Sequence, residues 1–317
     1  MNKHTLENLL ALDDFSELYK KAHKIKEDLY GKDIYIRAIL EFSNHCKMDC
    51  IYCGLNCHNK KIKRYRMSEN EILENAVKAH EAGYKTLVMQ SGEDVYFTAQ
   101  HLGNIVKKIK KTGIAVTLSC GEMSFEAYKY LKDCGADRYL LKHECSDNAV
   151  YSRLHTKSTL QQRLHCLKNL HSLGYETGSG FMIGLPNQNL ATIANDILKI
   201  AEIPCDMAGI GPFIPHPDTP LKDMPKGSTE LTKRAVALTR ILMKKINLPA
   251  TTSLGVIDCK EKNDIFLCGA NVIMQKVTPE PYKSLYEIYP SVLSKTDIIK
   301  ERKELEAHIK ALGCVPV

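Results

Sequence analysis

Hydrophobic and polar positions alternate along this chain in two textures. Short β-branched or apolar runs end in Gly, Ser, His or Pro, and longer polar runs with helical spacing follow them. The short runs predict strands at 34–42, 86–90, 115–119, 138–142, 176–183, 207–214, 248–253 and 271–275. The long runs predict helices at 69–82, 99–111, 124–134, 159–173, 191–203 and 231–245. Ser68 followed by Glu71 has the form of a capping box, and Ser124 stands before its helix as an N-cap. Gly83, Gly113, Gly135 and Gly174 stand where helices end.

Regular β-then-α alternation argues for a parallel sheet. Eight such repeats in about 250 residues fit a (β/α)8 barrel of the TIM type. An open doubly wound sheet is the alternative, but it carries a glycine fingerprint after its first strand. Here that strand runs into Ser43-Asn44-His45-Cys46. Residues 6–29 predict a helix ahead of the barrel, and 300–312 a closing helix. No linker rich in Pro, Gly or Ser intervenes, so one domain is expected. It divides into a helical extension (1–33), a barrel (34–290) and a closing segment (291–317).

Composition narrows the class. The 317 residues suffice for a large core, and 44% hydrophobic with 26% charged content is ordinary for a soluble globular protein. The formal charge is +7, from 44 Lys and Arg against 37 Asp and Glu. The densest basic run is Lys60, Lys61, Lys63, Arg64 and Arg66, read as a solvated surface segment rather than a nucleic-acid site. No apolar stretch approaches the roughly 20 residues that span a bilayer. Residues 1–14 lack the apolar centre of a signal peptide. A cytoplasmic location is therefore expected, with neither a membrane nor a nucleic acid as partner. Twelve cysteines are many for a reducing compartment unless some bind metal.

Three of those cysteines carry the chemistry. Cys46, Cys50 and Cys53 form a CxxxCxxC run on the loop leaving the first strand. One short loop can wrap three thiolates around a single inorganic centre. Iron–sulfur clusters take cysteine thiolates, normally four. Three ligands leave one iron open, as catalytic metal sites keep an open position. A zinc knot completed by Cys57, His45 or His58 is the alternative. Zinc sites usually bring a second pair of ligands a dozen or more residues away, and no second arm is present.

CxxxCxxC with an aromatic before the last cysteine, here Tyr52, resembles the signature of the radical S-adenosylmethionine (SAM) superfamily. That resemblance implies one 4Fe-4S cluster, SAM chelated at the open iron, and reductive cleavage of SAM to a 5′-deoxyadenosyl radical. Longer strings resemble the HydE family of iron–iron hydrogenase maturases: Glu41-Phe42-Ser43-Asn44, Arg64-Tyr65-Arg66-Met67, Gln90-Ser91-Gly92-Glu93-Asp94 and Gly269-Ala270-Asn271-Val272-Ile273-Met274 among them. The likeness runs from about Ile34 to Pro290. It implies a small iron complex carrying CO, cyanide and a cysteine ligand as substrate. It also implies an electron donor such as a ferredoxin or flavodoxin, and other hydrogenase maturases as partners.

Ser91, Gly92 and Glu93 close the second predicted strand at the barrel mouth, where they can hold the methionine end of SAM. Glu144 can accept hydrogen bonds from an amino group or from ribose hydroxyls. Arg163 has a fork suited to the SAM carboxylate, although an exposed helix arginine is the ordinary reading. Tyr52, Gln90, Ser119 and Met207 join the cofactor side through the resemblance. Thr117, Lys142, Thr251, Thr252, Met274, Tyr286 and Tyr289 match family positions that line the substrate cavity. On sequence alone each is more often an ordinary strand or core residue.

Lys142 departs from the family, which carries an arginine there. Lysine keeps the charge and loses the bidentate fork. An organic substrate, as in biotin synthase or methylornithine synthase, therefore stays open, as does maturation of another hydrogenase cofactor. A zinc-stabilised nucleic-acid binder is the reading from a different class. Some family members carry a second cluster near the C-terminus; with Cys314 alone there, none is expected. Cys120 and Cys145 fall at strand ends and read as small buried thiols, with a second iron centre as the alternative. Cys57, Cys134, Cys166, Cys205, Cys259 and Cys268 read as ordinary thiols. His216 and Asp218 read either as proton carriers or as shapers of a turn among prolines.

Overall fold

The first strand, β1 (Asp33–Ser43), is covered on both faces, so its period of two separates two environments. Ile34, Ile36, Ala38, Leu40 and Phe42 belong to the main apolar core. Arg37 and Glu41 have the opposite parity and point into a ring of strands. The computed structural model describes residues 1–257, 263–290 and 297–317. Its strands continue with β2 (Thr86–Ser91), β3 (Ala115–Ser119), β4 (Arg138–Leu140), β5 (Glu176–Ile183), β6 (Met207–Pro212), β7 (Pro249–Ala250), β8 (Val272–Lys276) and β9 (Val315–Pro316).

Among the described residues these strands pair in parallel, in the order β6-β5-β4-β3-β2-β1-β8-β7, with β9 added to the start of β1. A parallel bridge from Met207 to Asn247 brings β6 to the segment entering β7, so the ring nearly closes. This is the expected (β/α)8 barrel. Asn271 ties the seam together. Its Oδ1 accepts from Leu248 N at 2.9 Å and from the buried guanidinium of Arg240 at 3.0 Å, and its Nδ2 donates to Asn247.

The helices are α1 (Lys3–Leu10), α2 (Ser16–Tyr30), α3 (Glu69–Glu81), α4 (Ala99–Lys110), α5 (Phe125–Asp133), α6 (Asn148–Leu154), α7 (Leu160–Ser172), α8 (Leu190–Glu202), α9 (Thr229–Leu242), α10 (Thr252–Ile257) and α11 (Ile298–Ala311). The capping box at Ser68 and Glu71 forms, and Ser124 accepts from Ala127 N at 3.2 Å.

Four expectations shift. The single helix over 6–29 is two helices, because Asp14 bonds Ser16 N and starts a new turn. The fourth strand stops at Leu140, and Asp147 caps an unforeseen helix, α6, soon after. The sixth strand ends at Pro212, two residues early. The strand expected over 248–253 keeps two residues, because the chain turns at Thr251 into α10. Cys259 lies outside the described residues. No helix among the described residues is long and apolar enough to cross a membrane.

One wall of the barrel carries almost no side chains. Gly178, Gly180 and Gly209 sit on β5 and β6, with Gly180 paired to Gly209. A Cβ on Gly180 would stand 2.1 Å from the Gly209 carbonyl oxygen. One on Gly209 would meet nothing closer than 3.8 Å. Gly180→Ala is therefore expected to cost about 3 kcal/mol, and Gly209→Ala less than about 1 kcal/mol. Urea unfolding of both variants checks this, and equal midpoints would show that the two strands are not in this contact.

Candidate active site at the barrel mouth

The loop after β1 leaves the barrel at its C-terminal end, the end at which barrels of this type carry their sites. It is shaped from inside by one side chain. Arg64 Nη1 reaches the carbonyls of Asn44 at 2.5 Å and Leu55 at 2.9 Å, while Nη2 reaches Asn56 at 2.7 Å and Asn59 at 3.3 Å. Cys53 N donates to Cys50 O at 3.1 Å, closing a tight turn between two of the thiols. Two glycines let neighbours approach. A Cβ on Gly92 would lie 2.3 Å from His45 O and 2.7 Å from Cys46 Cβ, and one on Gly54 would strike the His216 ring.

All three thiols are largely covered. Burial pushes their pKa values up, that of Cys53 to about 12, and neighbouring thiols add to the effect at Cys50 and Cys53, as the Glu93 carboxylate does at Cys46. Backbone N–H groups act the other way: Glu93 N lies 3.4 Å from Cys46 Sγ, and Leu55 donates to Cys53. Such a set is costly as free thiolates and suits a cationic iron–sulfur centre, whose sulfur ligands take backbone hydrogen bonds. The residues present thus fit the expected cluster. Among the described residues no three His, Cys, Asp or Glu side chains are arranged to hold a single metal ion.

Tyr52 turns inward against α6. Its hydroxyl lies 3.0 Å from His155 Nε2, and His155 Nδ1 lies 3.2 Å from the Tyr151 carbonyl. A carbonyl only accepts, so Nδ1 carries the proton and Tyr52 donates to Nε2. Burial, with the Arg163 charge nearby, lowers the His155 pKa to about 4.

Arg163, expected as a free fork, is already engaged. Nε donates to Glu122 Oε1 at 2.5 Å and Nη1 to the Lys142 carbonyl at 2.8 Å. Ser158 also donates to Glu122. The sequence reading missed Glu122, because nothing in the local pattern separates it from a surface carboxylate.

Glu144 has φ 63°, a left-handed conformation that a glutamate adopts only under constraint. Its backbone is held on both sides, N–H to Gly180 O and carbonyl to Met182 N, each at 3.0 Å. Glu144 Oε2 stands 3.1 Å from Lys142 Nζ, an ion pair without hydrogen-bond alignment. The Lys142 stem runs 4.0 Å from where a Gly209 Cβ would be, so it lies over the glycine wall.

Across the barrel is a second lysine–carboxylate pair, absent from the sequence reading. Glu41 Oε1 forms an ion pair with Lys276 Nζ at 2.8 Å, and its Oε2 accepts from Thr278 Oγ1 at 3.1 Å. Burial raises the Glu41 pKa, and Lys276 opposes the rise. Gln90 and Ser119 share its level by strand register, and Tyr286 is buried beside Gln90. Tyr289 lies beside Thr252 and Ser253, and Ser253 bonds Thr251 at 3.3 Å. Cys120 is a buried thiol beside Ser91, and Cys145 packs with Met182, Leu185 and Phe213.

Three expected residues lie deeper. Met207, expected near the cofactor, begins β6 with its sulfur 3.2 Å from Arg37 Nη1. Arg37 precedes Glu41 by four residues, about 13 Å of strand, so Met207 belongs to the barrel floor. Thr117 shares that floor, its Oγ1 buried without a hydrogen-bond partner. Met274 is aligned with Arg37. His216 Nδ1 accepts from Asp218 N at 3.1 Å, which shapes the turn.

The folded His155 pKa of about 4 lies below the ordinary imidazole value of 6.5. Between these values the unfolded chain binds the extra proton, so stability falls as pH drops through this window. The full fall is about 3 kcal/mol, and His155→Gln is expected to remove it. Urea midpoints at pH 7.5 and 5 check this. An unchanged slope in the variant would assign the pH dependence elsewhere.

Comparison with known proteins gives the chain a family. Residues 40–200 match the family model described as the radical SAM superfamily. The FeFe hydrogenase maturase subunit HydE of Thermotoga maritima is 48% identical over 291 residues, covering 91% of this chain and 84% of that protein. The 3-methylornithine synthase of Methanosarcina acetivorans is 27% identical, covering 98% of this chain and 89% of its own. The crystal structure of methylornithine synthase superposes with a TM-score of 0.88 at 24% identity, covering 100% of this chain and 94% of that one. The maturase HydG from Carboxydothermus hydrogenoformans gives 0.86 at 22%, covering 100% and 76%. At those identities the two structures bear on the fold alone. The chain is a radical SAM enzyme, and within that superfamily it belongs to the HydE family of iron–iron hydrogenase maturases.

Proposed function

We propose that Cys46, Cys50 and Cys53 hold a 4Fe-4S cluster and that the chain acts in hydrogenase maturation on a small cysteine-ligated iron carbonyl cyanide precursor. The observation that carries this reading is the half-buried three-thiol loop at the barrel mouth, in a chain 48% identical to a HydE protein. When bound, the cluster supplies the electron that splits SAM into methionine and a 5′-deoxyadenosyl radical.

A cuboidal cluster draws its ligands to separate iron corners, so it asks for thiols that surround a body rather than meet at a point. Arg64 keeps the loop in that shape and neutralises part of its charge. Tyr52, Gln90, Ser91, Ser119 and Glu144 are the groups assigned to SAM. Gly92 contributes by letting β2 lie against Cys46. Arg163 acts indirectly, by fixing the Lys142 carbonyl and Glu122. Lys142, Thr251, Thr252, Tyr286 and Tyr289 are assigned to the substrate, with Thr117 and Met274 below them. Covered walls exclude water around the radical.

Anaerobic reconstitution tests the assignment. The wild type is expected to be brown and to release 5′-deoxyadenosine from SAM under reduction, and Cys50→Ala to lose both properties. A variant that kept its iron and its cleavage would remove Cys50 from the ligand set.

The lysine at position 142 favours one second reading, an organic substrate. Lys142→Arg restores the fork beside Glu144. The expected result is unchanged SAM cleavage and a lower KM for the iron precursor, by about tenfold. A higher KM would mean that the pocket is cut for lysine, and would turn the assignment toward the organic class.

A further inference from the structure

We infer that the basic face over the cysteine loop is the docking surface for an acidic one-electron carrier protein, an inference that rests on the cluster assignment above. Cleavage of SAM consumes one electron that must arrive from outside. The carrier gives it up and leaves oxidised by one electron; as the carbon–sulfur bond of SAM breaks, the added electron and one bond electron become a lone pair on the methionine sulfur, and the other bond electron stays on the adenosyl carbon as the radical. The structure supplies a place for that delivery.

The loop carries charge of one sign. From Asn44 to Ser68 the only carboxylate is Asp49. It is buried and takes the Thr156 hydroxyl. The lysines of the same stretch, Lys47, Lys60, Lys61 and Lys63, are all exposed, and Lys157 joins them from the segment after α6. Lys61 is paired with Asp218 and Lys47 with Glu93. Among the described residues no carboxylate lies within ion-pair distance of Lys60, Lys63 or Lys157.

Position matters as much as charge. Lys60 Nζ donates to the Cys57 carbonyl at 3.3 Å. Lys157 Nζ donates to the Lys47 carbonyl at 2.9 Å and to Cys57 Sγ at 3.3 Å. These ammonium groups therefore sit on the same loop that holds the three cluster cysteines. A protein bound to them contacts the loop itself, rather than one of the helices around the barrel. The rings in this stretch, Tyr52 and Tyr65, turn inward. The face thus offers charge without the stacking platform that single-stranded nucleic acid uses. Complementary charge steers such a transient partner and makes its capture depend on salt.

The test uses the reconstituted full chain and a bacterial flavodoxin as the acidic carrier. Its dissociation constant is measured by calorimetry at about 50 and 300 mM salt. The double variant Lys60→Glu/Lys63→Glu reverses the face, and Lys20→Glu/Lys24→Glu on α2 is the control of equal charge. The expected result is binding that weakens with salt and falls about tenfold or more in the face variant, with the control unchanged. SAM cleavage driven by dithionite should be equal in all three proteins, and cleavage driven by flavodoxin should drop in the face variant alone. Equal flavodoxin affinity in the face variant and the wild type would overturn the proposal, as would binding indifferent to salt. Tighter capture of duplex DNA than of flavodoxin through the same lysines would overturn it in favour of nucleic acid. A wild type that cleaves no SAM with dithionite would instead defeat the cluster assignment, whatever the binding data show.

Discussion

A guanidinium spread across four carbonyl groups is the interaction on which the mouth of this barrel depends. The loop that carries three cysteines is built of turns rather than of a helix or strand, and Arg64 ties carbonyls from separate turns together. Five N–H groups in one rigid plane can satisfy several inward-turned carbonyls at once, which no lysine can do. The same charge lies close enough to Cys46, Cys53 and Cys57 to interact with each. One residue thus fixes a backbone shape and moderates the repulsion among the sulfurs that the shape brings together.

Charge inside the barrel follows a related logic. Glu41 with Lys276 and Glu144 with Lys142 form two lysine–carboxylate pairs on opposite walls. Buried pairs of this kind contribute little net stability against a well-packed apolar core, because desolvation offsets most of the attraction. They do place polar atoms at fixed points in an otherwise apolar interior. Glu144 adds a left-handed backbone that its bridge to β5 holds in place. Constraint gathered at one end of the barrel is the pattern of a site whose geometry matters more than its stability.

The sequence made the barrel legible because its eight repeats keep strict periods of two and 3.6. Chemistry was legible where spacing along the chain is itself the geometry, as in the cysteine run. It was not legible where partners come from distant strands. Glu41 and Lys276 are 235 positions apart and meet only because β1 and β8 are neighbours. Arg163 illustrates the same limit: its type suits an anion, but that Nε meets Glu122, from the loop after β3, and Nη1 the Lys142 carbonyl could not be read from spacing. The early end of the seventh strand escaped notice because Thr251, Thr252 and Ser253 have strand propensity, while in the fold Thr251 and Ser253 bond each other at the turn into α10.

The glycine wall on β5 and β6 gives the interior an unusual boundary. Side chains rotate, and a pocket lined by them can reshape itself around many guests at an entropic cost. Peptide planes locked into two hydrogen-bonded strands have no rotamers. A molecule pressed against Gly178, Gly180 and Gly209 meets a contour fixed when the chain folded, so whatever discrimination that surface exerts is set beforehand and asks for no further ordering at the moment of contact.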